Sequence, residues 1–244
     1  MRNALVPCFR GRSREIMRRR IMRHLRATLG VCSIAMGMFC LTLPVEAELY
    51  VAGQAGVNIP QSLSTVEYSA GGVTLGGNDL SLHKSVMYGG KLGYYFDSLT
   101  FQNFNLGVET EVFNSTPHVK QQDLTIAGIP VGTATGLNFR VLNWAPVNLV
   151  VRYQAAALEP YAGVGLGVFF TRLSDGTNSS SSTDVGLNTQ LGLRYRVTNN
   201  LALFGEWKFN HANISHNNFL GANGLDFSAN YNAHILAFGI GYHF

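Results

Sequence analysis

The sequence has 244 residues, of which 46% are hydrophobic and 13% charged, and it contains 27 glycines. Soluble domains carry charge on about a quarter of their residues, so an ordinary soluble domain fits this composition poorly. The net charge of +4 would suit a nucleic-acid partner, but nine of the 18 basic residues lie within 1–47. Residues 48–244 carry a net charge of −3. The charge distribution therefore argues against nucleic-acid binding.

The first element in chain order is a predicted export signal over residues 1–47. An arginine-rich start precedes the uncharged stretch 27–43, and Val45 and Ala47 are the small residues of a cleavage site. We predict cleavage after Ala47, whether translation starts at Met1, Met17 or Met22. The alternative is an uncleaved anchor, because an apolar stretch of this length nearly spans a bilayer. All three cysteines precede the cut, so the mature chain has no disulfide or cysteine-metal site.

Residues 48–244 then show eight segments in which apolar side chains alternate with glycine or polar residues, as is typical of β-strands. In the third segment, for example, Leu106 and Val108 oppose Glu109 and Glu111. In the fourth, Pro146 predicts a bulge. Because a bulge reverses the alternation of the side chains before it, the pattern does not decide whether Arg140 points inward or outward. The segments are 49–59, 86–96, 105–113, 147–153, 162–170, 185–196, 201–209 and about 228–244.

The connections between these segments alternate in length. Short links are predicted at 97–100, 155–159 and 198–200, and long polar loops at about 60–84, 114–135, 173–184 and 210–227. Short turns on one side and long loops on the other are typical of an outer-membrane barrel of a Gram-negative bacterium, with the long loops outside the cell. This arrangement would place both termini in the periplasm.

Physical chemistry favours a closed barrel for such a sequence. In lipid every backbone N–H and C=O must be paired, so a sheet can cross a membrane only without free edges. We therefore predict an all-β fold, an eight-stranded antiparallel up-and-down transmembrane β-barrel, over residues 48–244. A soluble lipocalin-like barrel or a β-sandwich is the alternative. Those folds bury their apolar faces, whereas glycine-rich second faces suit a narrow barrel that is polar inside.

Several motifs also resemble a known family. ELYVAGQAGV, MYGGKLGYYF, EPYAGVGLGVFF, LFGEWKFNHA and NAHILAFGIGYHF are similar to the bacterial outer-membrane β-barrel domain family. That family is related to the OmpA transmembrane domain, OmpW and the opacity proteins. The resemblance covers essentially all of 48–244 and implies an eight-stranded outer-membrane barrel. Unlike OmpA, the sequence stops at its eighth strand, and we expect no peptidoglycan-binding domain after it.

Eight charged residues occupy positions of the predicted strands at which the alternation points the side chain into the barrel. Charge in a narrow interior must be paired or hydrated. Neighbouring strands predict two pairs, Lys91 with Glu109 and Arg194 with Glu206. We interpret the set as a structural ionic network that fills the lumen, and the alternative is a narrow ion path. The eight residues are Lys91, Glu109, Glu111, Arg152, Arg194, Arg196, Glu206 and Lys208.

The most enzyme-like stretch is NHANISHNN, which offers His211, Ser215 and His216. A serine and a histidine with an acid can form a hydrolytic set. Lipid A deacylases are barrels of this size with a His-x-Ser-Asn motif. Here Asn213 stands where that serine should be, so a polar loop base is the preferred interpretation. The histidines show no metal-ligand spacing, and we predict no metal site.

The remaining marked residues are aromatic or apolar. The alternating Leu236, Phe238, Ile240, Tyr242 and Phe244 resemble the C-terminal signal that the barrel-assembly machinery recognises. Aromatic residues near strand ends are predicted to form interfacial girdles that anchor the barrel. These aromatic residues are Tyr50, Tyr94, Tyr95, Phe96, Tyr153, Tyr161, Tyr195, Trp207 and Tyr242.

The sequence thus predicts an integral outer-membrane protein that is not an enzyme and needs no cofactor. Its role would be structural, or would be a surface interaction through four long extracellular loops. The expected partners are outer-membrane lipid and lipopolysaccharide, the barrel-assembly machinery during biogenesis, and an extracellular ligand or host surface. The alternatives are a narrow channel for small or apolar solutes, as resemblance to OmpW implies, and a lipid A-modifying hydrolase.

Overall fold

A computed structural model describes residues 47–219 and 224–244. The export signal predicted for 1–47 lies, up to residue 46, outside the described residues. Among the residues that are described, no helix is long and apolar enough to cross a bilayer.

The described residues form twelve β-strands. They are β1 (Ala47–Pro60), β2 (Ser64–Ala70), β3 (Val73–Gly76), β4 (Ser85–Phe101), β5 (Phe104–Ser115), β6 (Gln122–Ile126), β7 (Ile129–Ala134), β8 (Asn138–Tyr153), β9 (Leu158–Ser174), β10 (Ser179–Arg196), β11 (Leu201–His216) and β12 (Leu225–His243).

Eight of these strands close into a ring. They follow the order β1-β4-β5-β8-β9-β10-β11-β12, all antiparallel, and β1 also pairs with β12 from Tyr50↔His243 to Pro60↔Ala233. The closure gives each of the eight strands a paired neighbour on both sides, so the ring has no edge strand. The prediction of an eight-stranded antiparallel barrel is therefore confirmed. The sequence did not indicate the four short strands β2, β3, β6 and β7.

The barrel has two different ends. Ala47, the C-terminal residue Phe244 and the short connections at 102–103, 154–157 and 197–200 lie at one end, which we call the turn end. The opposite end, which we call the loop end, carries the connections 61–84 and 116–137. Between the ends, the outward side chains form an apolar belt, in which Leu166 is 61% exposed and Phe238 is 72% exposed.

Two of the four predicted long loops are strands in the structure. The connection between β9 and β10 is only 175–178, because Ser179–Thr183 pairs with Phe170–Ser174. Likewise, β11 continues to His216 in register with β12. The prediction was wrong because it ended each strand where the apolar alternation ended. Backbone pairing does not require apolar side chains, and beyond the belt these strands carry serine, threonine and asparagine.

The two long connections fold against each other at the loop end. The β2–β3 hairpin extends the sheet beside β12, and the β6–β7 hairpin stands next to β3. The Ala127 N–H donates to the Gly76 carbonyl at 2.8 Å, and the Thr125 N–H donates to Asn78 Oδ1 at 2.7 Å. We call residues 61–84 and 116–137 together the crown.

The bulge predicted at Pro146 is present in β8. The register shifts between Trp144 and Val147 against β9, and at the same place against β5. Asn148 and Arg152 face inward on one side of the bulge, whereas Phe139 faces inward on the other. Arg140 therefore lies on the outer surface of the barrel.

Candidate functional site in the barrel lumen

The polar face of the strands fills the lumen with side chains. Near mid-height lies a group that we call the central cluster, formed by Lys91, Glu109, Glu111, Gln190, Glu206 and Lys208. All six residues are at most 5% exposed. A glycine on the inward face often marks a place where no side chain would fit: a Cβ at Gly93 would lie 2.3 Å from the Tyr50 ring.

Lys91 connects opposite walls of the barrel in the central cluster. Its Nζ lies 3.3 Å from Glu109 Oε1 and 3.2 Å from Gln190 Oε1, and it also contacts Glu206. Lys91 belongs to β4 and Glu206 to β11, two strands that are not neighbours in the ring. The contact therefore crosses the lumen rather than running along the wall.

Lys208 is the second cation of the central cluster. Its Nζ lies 3.0 Å from Glu206 Oε2 and also pairs with Glu111. The Tyr161 hydroxyl donates to Glu206 Oε1 at 2.5 Å, and the Tyr50 hydroxyl donates to Glu109. The three carboxylates are thus held by two ammonium groups and by neutral donors.

A second group, the turn-end cluster, closes the lumen near the termini. It consists of Glu48, Arg152, Glu159, Arg194, Arg196 and His243. Glu48 accepts from Arg152 Nη2 and from Arg196 Nη2, each at 2.5 Å. Glu159 accepts from Arg196 Nε at 2.7 Å, and its Oε2 lies 3.6 Å from Arg194 Nη1. The turn-end cluster contributes three guanidinium groups against two carboxylates, so it balances the single excess carboxylate of the central cluster.

The eight charged residues predicted from parity all line the lumen, but their partners differ in part from the predicted ones. Lys91 and Glu109 form the predicted ion pair. Arg194 lies beside Glu159 rather than Glu206, which instead contacts the two lysines. The predicted partner was wrong because Glu159, the direct cross-strand neighbour of Arg194, had been assigned to a short link instead of β9.

Sequence reasoning missed several residues that belong to these clusters or contact them. Glu159 was assigned to a short link but belongs to β9, and Glu48 is the second residue of β1. Tyr50, Tyr95 and Tyr161 were assigned to interfacial girdles, yet each is at most 4% exposed inside the lumen. Parity could have identified Tyr95, because Tyr94 and Phe96 on either side face outward. The guanidinium of Arg152 stacks 3.8 Å from the centre of the Tyr95 ring.

Above the central cluster, the lumen is closed by a group of amides and then by an apolar core. Asn143 and Asn188 exchange hydrogen bonds at 3.0 and 3.1 Å. Beyond them, Leu63 and Leu80 of the first connection turn inward against the barrel wall. We call this core the apolar cap; its fully buried members include Leu63, Leu80, Phe139, Phe169, Leu173, Ile214 and Phe227.

The described lumen has no continuous space for a solute. The gap lined by Tyr50, Lys91, Glu109, Arg194 and Glu206 has no room for a water molecule. An ion moving along the axis would have to separate buried ion pairs and then pass the apolar cap. The structure described here is therefore a filled barrel.

The histidine and serine side chains of β11 do not converge. His211 and Ser215 face outward, four residues apart and hence roughly 13 Å along the strand, whereas His216 is buried inside. His211 Nδ1 lies 2.7 Å from Asn232 Oδ1, and the Ser215 hydroxyl donates to Asp184 at 3.2 Å. His216 Nε2 lies 3.1 Å from Thr171 Oγ1. Among the residues described, no group of histidine and carboxylate side chains is arranged to hold a metal.

The C-terminal alternation lies on the outer surface. Leu236, Phe238, Ile240, Tyr242 and Phe244 are between 46% and 72% exposed. The Phe244 N–H donates to the Leu49 carbonyl at 2.9 Å, so the last residue still closes the ring against β1.

Comparison with known proteins agrees with this architecture. The sequence model of the family described as "Outer membrane protein beta-barrel domain" matches residues 33–244. The outer membrane protein OprG from Pseudomonas aeruginosa superimposes with a TM-score of 0.52 at 15% identity, covering 81% of this chain and 95% of OprG. Neisserial surface protein A superimposes with a TM-score of 0.48 at 16% identity, covering 80% of this chain and 97% of the Neisserial protein. The protease OmpT from Escherichia coli superimposes with a TM-score of 0.41 at 12% identity, covering 84% of this chain and 99% of OmpT. None of the curated proteins matches the chain.

Proposed function

Since the chain belongs to the outer membrane protein beta-barrel domain family and resides in the outer membrane, we propose that it is a non-enzymatic, closed barrel that presents its crown to an extracellular partner. The family match confirms the resemblance drawn from the sequence motifs. The solved structures bear on the fold alone, because their identities to this chain are low. The role must therefore be argued from the geometry.

The filled lumen is the observation that carries the proposal. Five carboxylates and five Lys or Arg side chains occupy the two charged clusters, and the apolar cap closes the loop end. Burying ion pairs is costly unless they are well satisfied, and replacing a whole pair by well-packed apolar residues often leaves a protein equally stable or more stable. Such an interior stiffens the barrel without conducting, which suits a scaffold for a presented surface.

The crown provides that surface. Its two hairpins expose apolar side chains at their tips, with Val73 59%, Ile129 67% and Val131 54% exposed. Contiguous exposed apolar patches that are rimmed by polar residues mark interaction sites. The hairpins are held to each other by backbone hydrogen bonds, so the partner would meet an ordered surface.

The proposal requires the loop end to face out of the cell, with both termini in the periplasm. Residues 48–244 contain no cysteine, so a single cysteine can report the orientation. Thr177→Cys places a thiol in the exposed turn between β9 and β10. We expect a membrane-impermeant maleimide to label this variant in whole cells. Labelling only after the outer membrane is permeabilised would contradict the orientation.

The presented surface is tested by adhesion. Whole cells that produce the protein are applied to immobilised extracellular-matrix proteins and host-type glycans. We expect binding above cells with an empty vector, and a loss of binding in Val73→Asn/Ile129→Asn. Thr74→Asn is the control, because Thr74 is a polar exposed residue of the same hairpin. Wild-type cells that bind no better than empty-vector cells would refute the proposed role.

A second candidate is a narrow route for small or apolar solutes through the barrel wall. The pairing of β10 with β11 ends at Gly186↔Ala212, so β10 up to Val185 and β11 from Asn213 lie side by side without ladder bonds. The Ser215 hydroxyl bridges this seam by donating a hydrogen bond to Asp184 at 3.2 Å. Planar-bilayer recordings of the purified protein test for an ion-conducting form of this route, and the closed scaffold should give no conductance.

A further inference from the structure

The outer surface of the barrel carries two arginines side by side just above the apolar belt. All nine Lys and Arg residues of 48–244 lie in the described part, and five of them belong to the lumen clusters. Of the remaining four, Arg140 of β8 and Arg172 of β9 are direct cross-strand partners. Like charges directly opposite each other on one face of a sheet are destabilising. A partner that offsets the repulsion between the two guanidinium groups would therefore stabilise this pair.

No protein carboxylate among the described residues forms a salt bridge with either guanidinium. Arg172 Nη2 donates to Ser179 Oγ at 3.2 Å, which fixes one side of its guanidinium. The nearest acid along β9 is Asp175, whose Oδ1 accepts from the backbone N–H groups of Thr177 and Asn178 at 2.8 and 2.6 Å. These hydrogen bonds lower the pKa of the Asp175 carboxyl, the one from Asn178 first, and direct it into its own turn.

The two arginines line a pocket of about 260 Å³ at the boundary of β8 and β9. Besides them, it is lined by Thr116, His118, Asn138, Phe139 and Ser174. Except for Phe139, every residue that lines the pocket has a side chain that can donate a hydrogen bond. The pocket is smaller than a typical small-molecule site of roughly 300–1,000 Å³. It suits a compact oxyanion held by guanidinium, hydroxyl and amide donors.

The height of the pocket indicates where that oxyanion comes from. Leu142 and Phe170 are the next outward residues toward the belt, and they are 37% and 39% exposed. A step of two residues along a strand is about 7 Å. The guanidinium groups thus lie one step beyond the lipid-facing apolar surface, at the level where headgroups meet acyl chains.

We propose that Arg140 and Arg172 bind a phosphate group of the outer-leaflet lipid, the phosphorylated lipid A part of lipopolysaccharide. Guanidinium groups bind phosphate in a bidentate, charge-assisted geometry. A phosphate between the two arginines would also remove their mutual repulsion. The choice of leaflet rests on the orientation given under the proposed function. The maleimide labelling of Thr177→Cys tests that orientation without reference to lipid binding, so the two failures are distinguishable.

The test is a titration of the full chain, purified from outer membranes and reconstituted in nanodiscs, with fluorescent lipid A. We expect bis-phosphorylated lipid A to bind at least about tenfold more tightly than dephosphorylated lipid A, as for the loss of a charge-assisted contact. Arg140→Gln/Arg172→Gln should bind both lipids at the weaker level. This preference in the wild-type protein needs no variant, so the proposal stays testable if the double variant folds poorly.

The matched control is Lys84→Gln/Lys120→Gln, which removes the same charge from exposed loop-end residues outside the pocket. It should retain the preference within about twofold. If this control lost the preference for phosphorylated lipid A equally, the effect would depend on the overall charge of the protein, and the proposed site would be overturned. Equal affinity of the wild type for both lipids would do the same. Full competition by inorganic phosphate at an affinity equal to that of lipid A would show a free-anion site and overturn the lipid assignment.

Discussion

Replacing Lys91 with methionine tests whether the central cluster is a balanced ionic unit. The Lys91 side chain is 2% exposed, and its partners Glu109 and Glu206 are 1% exposed. The substitution leaves three buried carboxylates of the central cluster with Lys208 as their remaining ammonium partner. Removing one partner of a buried ion pair costs about 3–5 kcal/mol, because the other charge stays buried without compensation. That loss is a large share of the roughly 5–15 kcal/mol that stabilises a typical protein.

A second substitution should recover part of the loss. In Lys91→Met/Glu206→Gln one carboxylate is removed with the ammonium, so Glu111 keeps Lys208 and Glu109 keeps its neutral donors. We expect the double variant to be more stable than Lys91→Met by about 1–3 kcal/mol, the range of coupling between contacting residues. The control is Lys84→Met, the same chemical change at an exposed position, which should stay within about 0.5 kcal/mol of wild type.

The assay is urea unfolding of the refolded barrel in detergent, followed by tryptophan fluorescence and by the mobility difference between boiled and unboiled samples on a gel. The free energy of unfolding is extrapolated for each variant. If Lys91→Met matches Lys84→Met, or if the double variant is less stable than Lys91→Met, the reasoning about charge balance in the lumen is wrong.

Three further predictions concern packing, assembly and pH. Gly239→Ala should cost about 1–3 kcal/mol, because its Cβ would lie 2.4 Å from the Gly53 carbonyl oxygen. Gly53→Ala, whose Cβ meets nothing within 4 Å, is the control in the same unfolding assay, and equal stability of the two variants would contradict the packing argument. Phe244→Ala should reduce the membrane-inserted, heat-modifiable fraction while leaving adhesion per inserted barrel unchanged, and normal insertion would refute an assembly role. Burial lowers the pKa of His216, at the loop end of β11 beyond the belt, below its ordinary value of 6.5. The neutral ring therefore contributes stability above about pH 6.5, and this contribution is lost as the pH falls below that value. The protection of loop-end amides against hydrogen exchange, taken relative to the intrinsic rate at each pH, should fall at pH 5 in wild type but not in His216→Gln, and an equal fall in both would exclude this residue as the cause.

Much of the local arrangement follows from the sequence by itself. Because successive side chains of a strand point to opposite faces, the two-residue alternation determines which residues meet lipid and which fill the lumen. It indicated eight of the ten Lys, Arg and Glu side chains in the two lumen clusters, and Pro146 indicated the bulge that turns Arg140 outward. The low charge of the chain outside the lumen follows from the same alternation.

Only the tertiary structure decided which side chains meet. Alternation gives the face of a residue but not its height in a closed barrel, which depends on the register of all eight strands together. Lys91 thus contacts Glu206 across the lumen, and Arg194 contacts Glu159 rather than Glu206. The closure of the loop end could not be predicted from the sequence either. Leu63 and Leu80 lie in a connection without alternation, and they become core residues because the connection folds back over the open end of the barrel.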